Sequence, residues 1–350
     1  MAVNLATKYE KQFDEAFKPA SYFEGKVNPR FKFEGAKTIK IFSPVTTELT
    51  DYKRTGNERY GSATEMDTVT QELTLTQDKG FTKTLDRGNY NDSMMSISAG
   101  AWMQEEIRSV CTPTIEKYAL SKWINSGNFK KIDAVPTKNT IVSALTPLYE
   151  SFRNEYVPND GRYLYIRPDM LSAVMLSTEW QSADKLAEKA MENGVVGKFR
   201  NAKVVEVPED YLPENCYAAL ISKRAVMLAK KLSEFKTHID PPGISGWLLE
   251  GRIYYDAFVL AQKNAGVCTL VLKDKQATVS ISAAGVLTVT NAKKTYYTTD
   301  GSDPRYSSTR EQFTGTSGTD AVGASGDTIK AWAEGNGVLA SDVVIKKRTS

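Results

Sequence analysis

The residues with side chains suited to catalysis are few and scattered. His238 is the single histidine among 350 residues, and it falls in a predicted strand just before a Pro-Pro-Gly turn at residues 241–243. A lone histidine without a nucleophile motif is expected to be structural, because triads and metal clusters need partners at set spacings. Glu105 and Glu106 are neighbours on a predicted helix, so they do not face one another and cannot act together on one bond. We therefore predict no catalytic residue, no metal site and no cofactor.

One glycine-containing segment superficially resembles a phosphate-binding loop. Residues 194–198 are Gly-Val-Val-Gly-Lys. The position of the required upstream glycine holds Glu192, however, and Lys198 is followed by Phe199 instead of Ser or Thr. We interpret the segment as the approach to a β-hairpin.

A second group of candidate binding residues lies near the C-terminus, in YYTTDGSDP at residues 296–304. The carboxylates of Asp300 and Asp303 are suited either to a cation or to capping their own turn. Capping is favoured, because two carboxylates three residues apart fall short of a calcium ligand set. The nearby aromatic residues are candidates for a sugar-stacking surface, with core packing as the default for at least two of them. These aromatic candidates are Tyr296, Tyr297, Tyr306 and Trp332.

Composition is that of an ordinary globular protein with room for two or three cores, since 41% of residues are hydrophobic and 25% are charged. The formal charge of +3 is small for this length. It argues against a dedicated nucleic-acid binder and predicts weak, non-specific contact with DNA. Cys111, Cys216 and Cys268 are scattered, which predicts reduced thiols and a cytosolic folding environment. No stretch has the length and hydrophobicity of a signal peptide or membrane span.

The most distinctive stretch of the chain is a charged ribbon. Residues 51–54 are predicted to lead into a turn-rich tip at 55–62, and residues 68–76 return as a strand with alternating Thr and Leu. A turn at residues 78–80 and a strand at 81–85 follow. A two-stranded ribbon with so little apolar surface is at best marginally stable alone, so we expect it to pack on neighbouring copies.

A long amphipathic helix follows the ribbon. Residues 91–93 supply an N-cap, and apolar residues then recur mostly every three or four positions as far as Ala119. Pro113 is predicted to bend this helix without ending it, because the apolar stripe resumes at Ile115. Before the ribbon we predict a short helix at residues 3–17, an irregular arm at 18–34 that has no core of its own, and a strand at 36–41.

The pattern of the sequence after this helix predicts an α+β body followed by a small all-β domain. Asp169 is expected to cap one of the helices. The threonine- and glycine-rich residues from 273 onward are predicted to form a separate sandwich. Predicted helices are 140–154, 169–175 and 184–191; predicted strands are 162–166, 195–207 (a hairpin), 216–221, 234–240, 252–260, 277–281, 286–290, 295–299 and 328–333.

In the order of these elements, residues 1–272 resemble the major capsid proteins of tailed bacteriophages with the Hong Kong 97 type fold. The segments LTDYKRTG, NERYG and LTQDKGFTKTLDRGNYND, between Leu49 and Asp92, carry the likeness. Separately, YYTTDGSDP and TIKAWAEGNGVLAS resemble the immunoglobulin-like C-terminal module of the chitobiase and β-hexosaminidase type. The resemblances imply an N-terminal arm at 1–35, an extended loop at 50–80, a spine helix at 92–125, a peripheral domain at 81–129 and 246–272, an axial domain at 130–245 and an immunoglobulin-like domain at 273–350.

The resemblance implies a structural, non-enzymatic protein of the virion. It would assemble in the bacterial host cytoplasm into hexamers and pentamers of an icosahedral head around double-stranded DNA. Expected partners are further copies of itself, a separate scaffolding protein, a portal and, weakly, the DNA, with no membrane. The extended loop would lie on a neighbouring subunit through many individually weak contacts. The contact candidates are Lys53, Arg54, Glu58, Arg59 and Glu65.

The alternative function is that of a carbohydrate-binding surface protein. In this interpretation the C-terminal module binds host-surface glycans. The surface candidates are Tyr297, Asp300, Asp303, Tyr306 and Trp332.

Overall fold

The structure is a computed structural model of the chain. It describes residues 21–31, 33, 37–44, 46, 49–57, 59–62, 65, 68–92, 99–177 and 195–349. The chain divides into two compact units: unit 1 comprises residues 1–35 and 75–275, and unit 2 comprises residues 36–74 and 276–350. The helices expected at residues 3–17 and 184–191 lie outside the described residues.

The described elements follow in chain order. They are β1 (Thr38–Pro44), β2 (Thr68–Thr74), β3 (Gln77–Asp86), α1 (Arg87–Asp92), α2 (Ala99–Glu106), a π-helical turn (Ile107–Cys111), α3 (Thr112–Ser126), β4 (Asn128–Ile132), α4 (Ile141–Asn154), β5 (Arg162–Ile166), α5 (Pro168–Met175), β6 (Val195–Phe199), β7 (Ala202–Glu206), β8 (Cys216–Ser222), β9 (Val226–Ile239), β10 (Gly246–Val259), β11 (Val267–Leu272), β12 (Thr278–Ile281), β13 (Leu287–Thr290), β14 (Ala292–Thr298), β15 (Glu311–Phe313), β16 (Thr328–Gly335) and β17 (Val344–Lys347). Short 3-10 helices cover Glu209–Tyr211 and Ala261–Gly266.

A mixed six-stranded sheet forms the larger core of unit 1. Its strand order is β4-β11-β8-β5-β7-β6, with β4 parallel to β11 and β5 parallel to β7. Helices α4 and α5 share one hydrophobic cluster with this sheet, including Leu145, Leu148 and Met170. The apolar spacing along α4 therefore gave the correct helix, because its buried positions recur at helical period on one face.

All five residues of β5 are buried, as expected for a strand covered on both faces. Leu164 and Ile166 belong to the cluster with α4 and α5. Tyr165 has its ring in contact with Phe23 of the N-terminal segment. The strand at β8 and the β6–β7 hairpin are also confirmed.

A three-stranded antiparallel sheet, in the order β3-β10-β9, forms the second part of unit 1. Helix α3 packs against β10, where Ile115 joins a cluster with Ile253 and Tyr255. The helix passes through Pro113, as expected, and the adjustment is a π-helical turn just before it. Thr112 N donates to the carbonyl oxygen of Ile107, five residues back. A π turn shifts the hydrogen-bonding register next to a residue that has no N–H.

Two predictions about the ribbon are wrong. Residues 51–54 were expected to form the side of the ribbon that faces the returning strand. The partner of β2 is instead β1, with Thr38 opposite Thr74 and Pro44 opposite Thr68, and residues 51–54 belong to the connecting loop. Residues 78–80, expected to turn, lie inside β3. Asp and Gly are unfavourable in strands taken alone. Here the continuous antiparallel pairing of β3 with β10, from Gln77 to Asp86, holds these residues in a strand despite their local preference. Asp78 adds hydrogen bonds of 2.9 and 2.6 Å with the guanidinium of Arg252 across the sheet.

The predicted cap of α5 is also wrong. The helix begins at Pro168, after the extended residue Arg167. Asp169 lies in the first turn, and its Oδ1 accepts a hydrogen bond of 2.8 Å from Met170 N. Proline suits the first helical position, because its fixed φ is helical and its missing N–H has no partner there.

The C-terminal strands of unit 2 form two sheets around one hydrophobic core. One sheet pairs β12 with β13, and the other has the order β15-β14-β16-β17. Side chains of both sheets, including Val279, Leu287 and Ile329, share the core. The strands expected around residues 277–281, 286–290, 295–299 and 328–333 are confirmed. In β12 and β16, buried side chains alternate with more exposed ones, which matches the alternation of apolar and polar residues in the sequence.

Candidate interaction surface

Hydrogen bonds within the loop between β1 and β2 close its tip. Lys53 N donates to the carbonyl oxygen of Arg59 at 2.9 Å, and Arg59 Nε donates to the carbonyl oxygen of Gly56 at 3.2 Å. Gly56 has a φ of +93°, a left-handed conformation that favours glycine. Of the predicted contact residues, Glu58 lies outside the described ones. The other four are all exposed: Lys53, Arg54, Arg59 and Glu65.

The same loop presents apolar side chains that the sequence analysis did not single out. The rings of Tyr52 and Tyr60 meet edge to face with centroids 5.0 Å apart. Tyr60 is nevertheless 85% exposed, and Leu49 is fully exposed. Thr50 Oγ1 donates to the carbonyl oxygen of Tyr60 and fastens the two sides of the loop. Exposed aromatic residues beside charges are typical of a surface that binds another protein.

The ribbon that carries this loop has two strands, β1 and β2. Lys40 and Glu72 lie opposite each other and form an ion pair of 2.6 Å. Phe42, on β1, has 66% of its surface exposed. Among the described strands, neither outer edge of this pair has a further neighbour. Unpaired edges are suited to strand addition by another chain.

A buried carboxylate holds the chain just after β2. Oδ2 of Asp256, on β10, accepts hydrogen bonds from Thr76 N at 2.9 Å and from Thr76 Oγ1 at 2.7 Å. Its Oδ1 accepts a hydrogen bond of 2.8 Å from the hydroxyl of Tyr118 on α3. Burial raises the pKa of Tyr118, so the phenol remains a donor. Thr76, the residue just before β3, is thereby tied to the central strand of the sheet, through the same carboxylate that binds Tyr118 of the helix.

The N-terminal segment lacks regular structure at residues 21–31, as expected, but it is not coreless. Phe23 is 1% exposed, and its ring lies 4.9 Å from that of Trp123 and 5.3 Å from that of Tyr165. Tyr22 meets Tyr211 edge to face at 5.2 Å. The prediction that this arm has no core is therefore corrected. Its aromatic residues fill the core of unit 1 between α3 and β5, which no local periodicity reveals.

Buried polar groups also anchor this segment. Glu116, on α3, accepts hydrogen bonds from the hydroxyl of Ser21 and from Phe23 N. Lys26 Nζ donates to the carbonyl oxygen of Tyr22 at 2.7 Å. Burial raises the pKa of Glu116, against the opposing effect of these donors, and burial lowers the pKa of Lys26 to about 8. Both groups were absent from the sequence-based candidates, since nothing in their local sequence predicts burial.

The lone histidine has an acidic partner. His238 Nε2 lies 3.1 Å from Glu250 Oε2 on the neighbouring strand, and both side chains are about half exposed. In the part of the chain that the structure describes, no group of three or more His, Cys, Asp or Glu side chains is placed to hold a metal ion. Cys111, Cys216 and Cys268 are free, and burial raises the pKa of each thiol. Within the described residues, no helix is both long and apolar enough to cross a membrane.

The C-terminal carboxylate candidates are occupied by local hydrogen bonds. Asp300 Oδ1 accepts from Ser302 N at 2.9 Å, and its Oδ2 accepts from Thr309 Oγ1 at 2.6 Å. These bonds help to lower the pKa of Asp300, although burial acts in the opposite direction. Asp303 pairs with the well-shielded Arg305 at 2.7 Å. Such bonds are those of a self-capped turn.

The aromatic candidates separate onto different faces. Trp332 stacks on Tyr296 across β14 and β16, with centroids 6.2 Å apart and planes inclined by 21°. The Arg310 guanidinium lies 4.9 Å from the Tyr296 ring centroid. Tyr297 donates a hydrogen bond of 2.5 Å to Glu311. Tyr306 is half-buried, and burial raises the pKa of its phenol.

Comparison with known proteins gives a consistent result for the fold. No protein-family model matches the chain, and no curated protein matches it. Solved structures do match. One from Mycobacterium phage Che8 has a TM-score of 0.62 at 18% identity, covering 77% of this chain and 98% of that one.

Two further matches have titles that name capsids. The capsid structure of the cyanophage P-SCSP1u has a TM-score of 0.59 at 11% identity, and covers 77% of this chain and 93% of that chain. The mature capsid of bacteriophage PhiM1 has a TM-score of 0.58 at 11% identity, with 77% and 92% covered. At these identities the likeness establishes a shared fold. About three quarters of the chain has the fold of phage capsid structures.

Proposed function

We propose that this chain is a major capsid protein, which self-assembles into the hexamers and pentamers of an icosahedral phage head around double-stranded DNA. The observation that carries the proposal is the structural likeness, which takes in nearly the whole length of phage capsid chains. The fold supports a structural, non-enzymatic role. Assembly would take place in the bacterial host cytoplasm, with a scaffolding protein and a portal as further partners.

The proposed domain organisation is that of the Hong Kong 97 type. Residues 1–272 make the shell, which is 272 of the 350 residues and close to the 77% that the structural matches cover. Within it we assign the arm to 1–35, the extended loop to 50–80, the peripheral domain to 81–129 and 246–272, and the axial domain to 130–245. Residues 273–350 form an immunoglobulin-like surface domain, and their two sheets around one core support this assignment.

Subunit contact would begin at the loop tip. The proposed contacts combine the charges of Lys53, Arg54 and Arg59 with the exposed ring of Tyr60. Each exposed ion pair contributes only about 0 to 1 kcal/mol, so the apolar side chains and the open edges of the β1–β2 ribbon would supply the remainder. A shell repeats each contact many times, and weak contacts therefore suffice.

Electron microscopy of the expressed protein tests the proposal. We expect closed shells or rings of six and five subunits, with the full-length chain as the repeating unit. A chain that stays monomeric at high concentration, both alone and with the scaffolding protein of the same phage, would contradict the capsid function.

A second candidate function is binding of host-surface glycans by the C-terminal module. The stacked pair of Tyr296 and Trp332, with Arg310 beside it, favours this function, because flat aromatic faces suit sugar rings. A glycan array probed with the full chain and with Trp332→Ala tests it. Binding that disappears in the variant supports a lectin function, and an array without signal contradicts it.

A further inference from the structure

A basic cavity of about 410 Å³ lies in unit 1. None of its lining residues belongs to the loop between β1 and β2 that carries the proposed subunit contacts. Four cations and one carboxylate line it. They come from the N-terminal segment, the loop before β5, the turn between β8 and β9, and the 3-10 helix before β11. The charged lining residues are Arg30, Asp160, Lys223, Arg224 and Lys263.

Backbone hydrogen bonds hold these segments in place. Lys223 N donates to the carbonyl oxygen of Gly161 at 2.7 Å. Asn28 N donates to the carbonyl oxygen of Val226 at 2.9 Å, and Asn28 Nδ2 donates to that of Arg224 at 3.1 Å. Arg30 N in turn donates to Asn28 Oδ1 at 3.0 Å. The cations therefore project from a fixed backbone, so part of the entropy cost of arranging them around a ligand is already met in folding.

The charges in this cavity are largely uncompensated. Arg224 pairs with Asp160 at 2.7 Å, and the Arg224 hydrogen bond lowers the pKa of Asp160, which stays ionised. Arg30, Lys223 and Lys263 form no ion pair with any residue that the structure describes. The whole chain carries a formal charge of only +3. A cavity with three unpaired cations thus concentrates positive charge in a protein that is otherwise nearly balanced.

We propose that this cavity binds the phosphodiester backbone of the packaged nucleic acid. This inference rests on the proposed capsid function and identifies the surface of the weak DNA contact expected there. Lys and Arg around an open concave surface, without aromatic side chains among the lining residues, fit backbone phosphates better than bases. Three contacts of this kind give binding that is independent of sequence and sensitive to salt.

An acidic protein segment is a poorer occupant. The acidic run at residues 206–214 is partly used within its own subunit, because Glu209 pairs with Arg167 and Asp210 pairs with Lys117. Nucleic acid instead offers a regular row of unpaired anions. The experiment must therefore distinguish binding of DNA in this cavity from binding of a neighbouring subunit.

The test measures binding of a labelled duplex of about 30 base pairs to the full chain over a range of salt concentrations. The variant Arg30→Gln/Lys223→Gln/Lys263→Gln is compared with Lys293→Gln/Lys294→Gln/Lys346→Gln, which removes three exposed cations of unit 2. We expect the first variant to lower the slope of log affinity against log salt by about 2 to 3 and the affinity near 0.1 M salt by about a hundredfold. The second variant should keep the wild-type slope.

A footprint on the wild-type chain makes the test independent of variant folding. Acetylation of Lys223 and Lys263 should slow when the duplex is added, while acetylation of Lys293 should not. An unchanged salt slope, an equal loss in the two variants, or unprotected Lys223 and Lys263 would overturn the proposal. So would failed subunit assembly with intact DNA binding, which would assign the cavity to a neighbouring copy. Shell formation is scored separately by microscopy, so a chain that binds DNA here without forming shells would count against the capsid function alone.

Discussion

A Cβ atom on Gly246 would lie 2.2 Å from the carbonyl oxygen of Leu85 on the neighbouring strand. Gly246 starts β10 with a φ of +136° and closes the β9–β10 turn, where its N–H donates to Asp240 Oδ1 at 2.9 Å. Real Cβ atoms do not approach backbone oxygens this closely. The strand can keep its register with β3 only with glycine at this position.

Replacing this glycine should therefore separate β10 from β3. We expect Gly246→Ala to lower the free energy of unfolding by more than about 2 kcal/mol, measured by urea denaturation. Gly243→Ala is the matched control, because Gly243 also has positive φ but its added Cβ would meet nothing within 4 Å. The control should lose only about 1 kcal/mol. Equal losses in the two variants would contradict the steric explanation.

The carboxylate of Asp256 should be among the most important polar groups of unit 1. Asp256→Ala leaves the N–H and hydroxyl of Thr76 and the hydroxyl of Tyr118 without their acceptor. Thr76 is exposed, so water can replace the lost acceptor there, whereas the hydroxyl of Tyr118 is partly shielded. An unsatisfied shielded donor costs about 1 to 3 kcal/mol, and we expect a loss of about that size in unfolding free energy. The exposed Asp133 is the control, and Asp133→Ala should change it by less than about 0.5 kcal/mol.

Removing the aromatic anchor of the N-terminal segment should loosen that segment as well as the core. Phe23→Ala empties the space between Trp123 and Tyr165, and we expect a loss of about 3 to 5 kcal/mol. Limited proteolysis should then cut near residues 21–30 before the rest of the chain. Glu24→Ala, at the exposed neighbouring position, should leave stability and cleavage unchanged. Protection of the segment in Phe23→Ala would show that its backbone hydrogen bonds suffice.

Stability should depend on pH through Lys26. Burial lowers the pKa of Lys26 to about 8 from its ordinary value of 10.5. Between these values the unfolded chain binds more protons than the folded chain, so the free energy of unfolding rises with pH. We expect the wild-type protein to gain stability relative to Lys26→Met as pH increases from 8 to 10. A difference between the two proteins that stays constant over this interval would contradict the lowered pKa.

The loop tip should be needed for assembly and not for folding. Deletion of residues 55–62 removes a loop whose described hydrogen bonds, such as Lys53 to Arg59, are local to the tip itself. We expect a thermal midpoint close to that of the wild type and no closed shells by electron microscopy. A Gly/Ser replacement of the same length separates the role of the side chains from that of the loop length. Normal shells from the deletion would assign assembly to other surfaces.

Local patterns were sufficient for elements whose burial follows one regular period. Helix α4 and strand β16 are visible in the sequence, because an element packed on one core repeats its apolar residues every 3.6 or every two positions. Strands β5 and β8 are visible as short continuous apolar runs, since they are buried on both faces. The absence of a recognisable nucleophile motif likewise limited the candidate functions. The order of elements between Leu49 and Asp92 pointed to a capsid fold, which the structural matches share.

Long-range pairing was decided by tertiary contacts. Strand β2 pairs with β1 across the long loop between them. The strand at Asp78 contacts Arg252, which is 174 positions away in the sequence. No local preference encodes either pairing. Phe23 lies in an irregular segment, so its burial against Trp123 has no period to reveal it. The basic cavity combines four segments that are each unremarkable in charge. A net charge of +3 does not indicate where folding brings positive charges together, whereas the burial of a regular helix or strand follows from the order of residues along the chain.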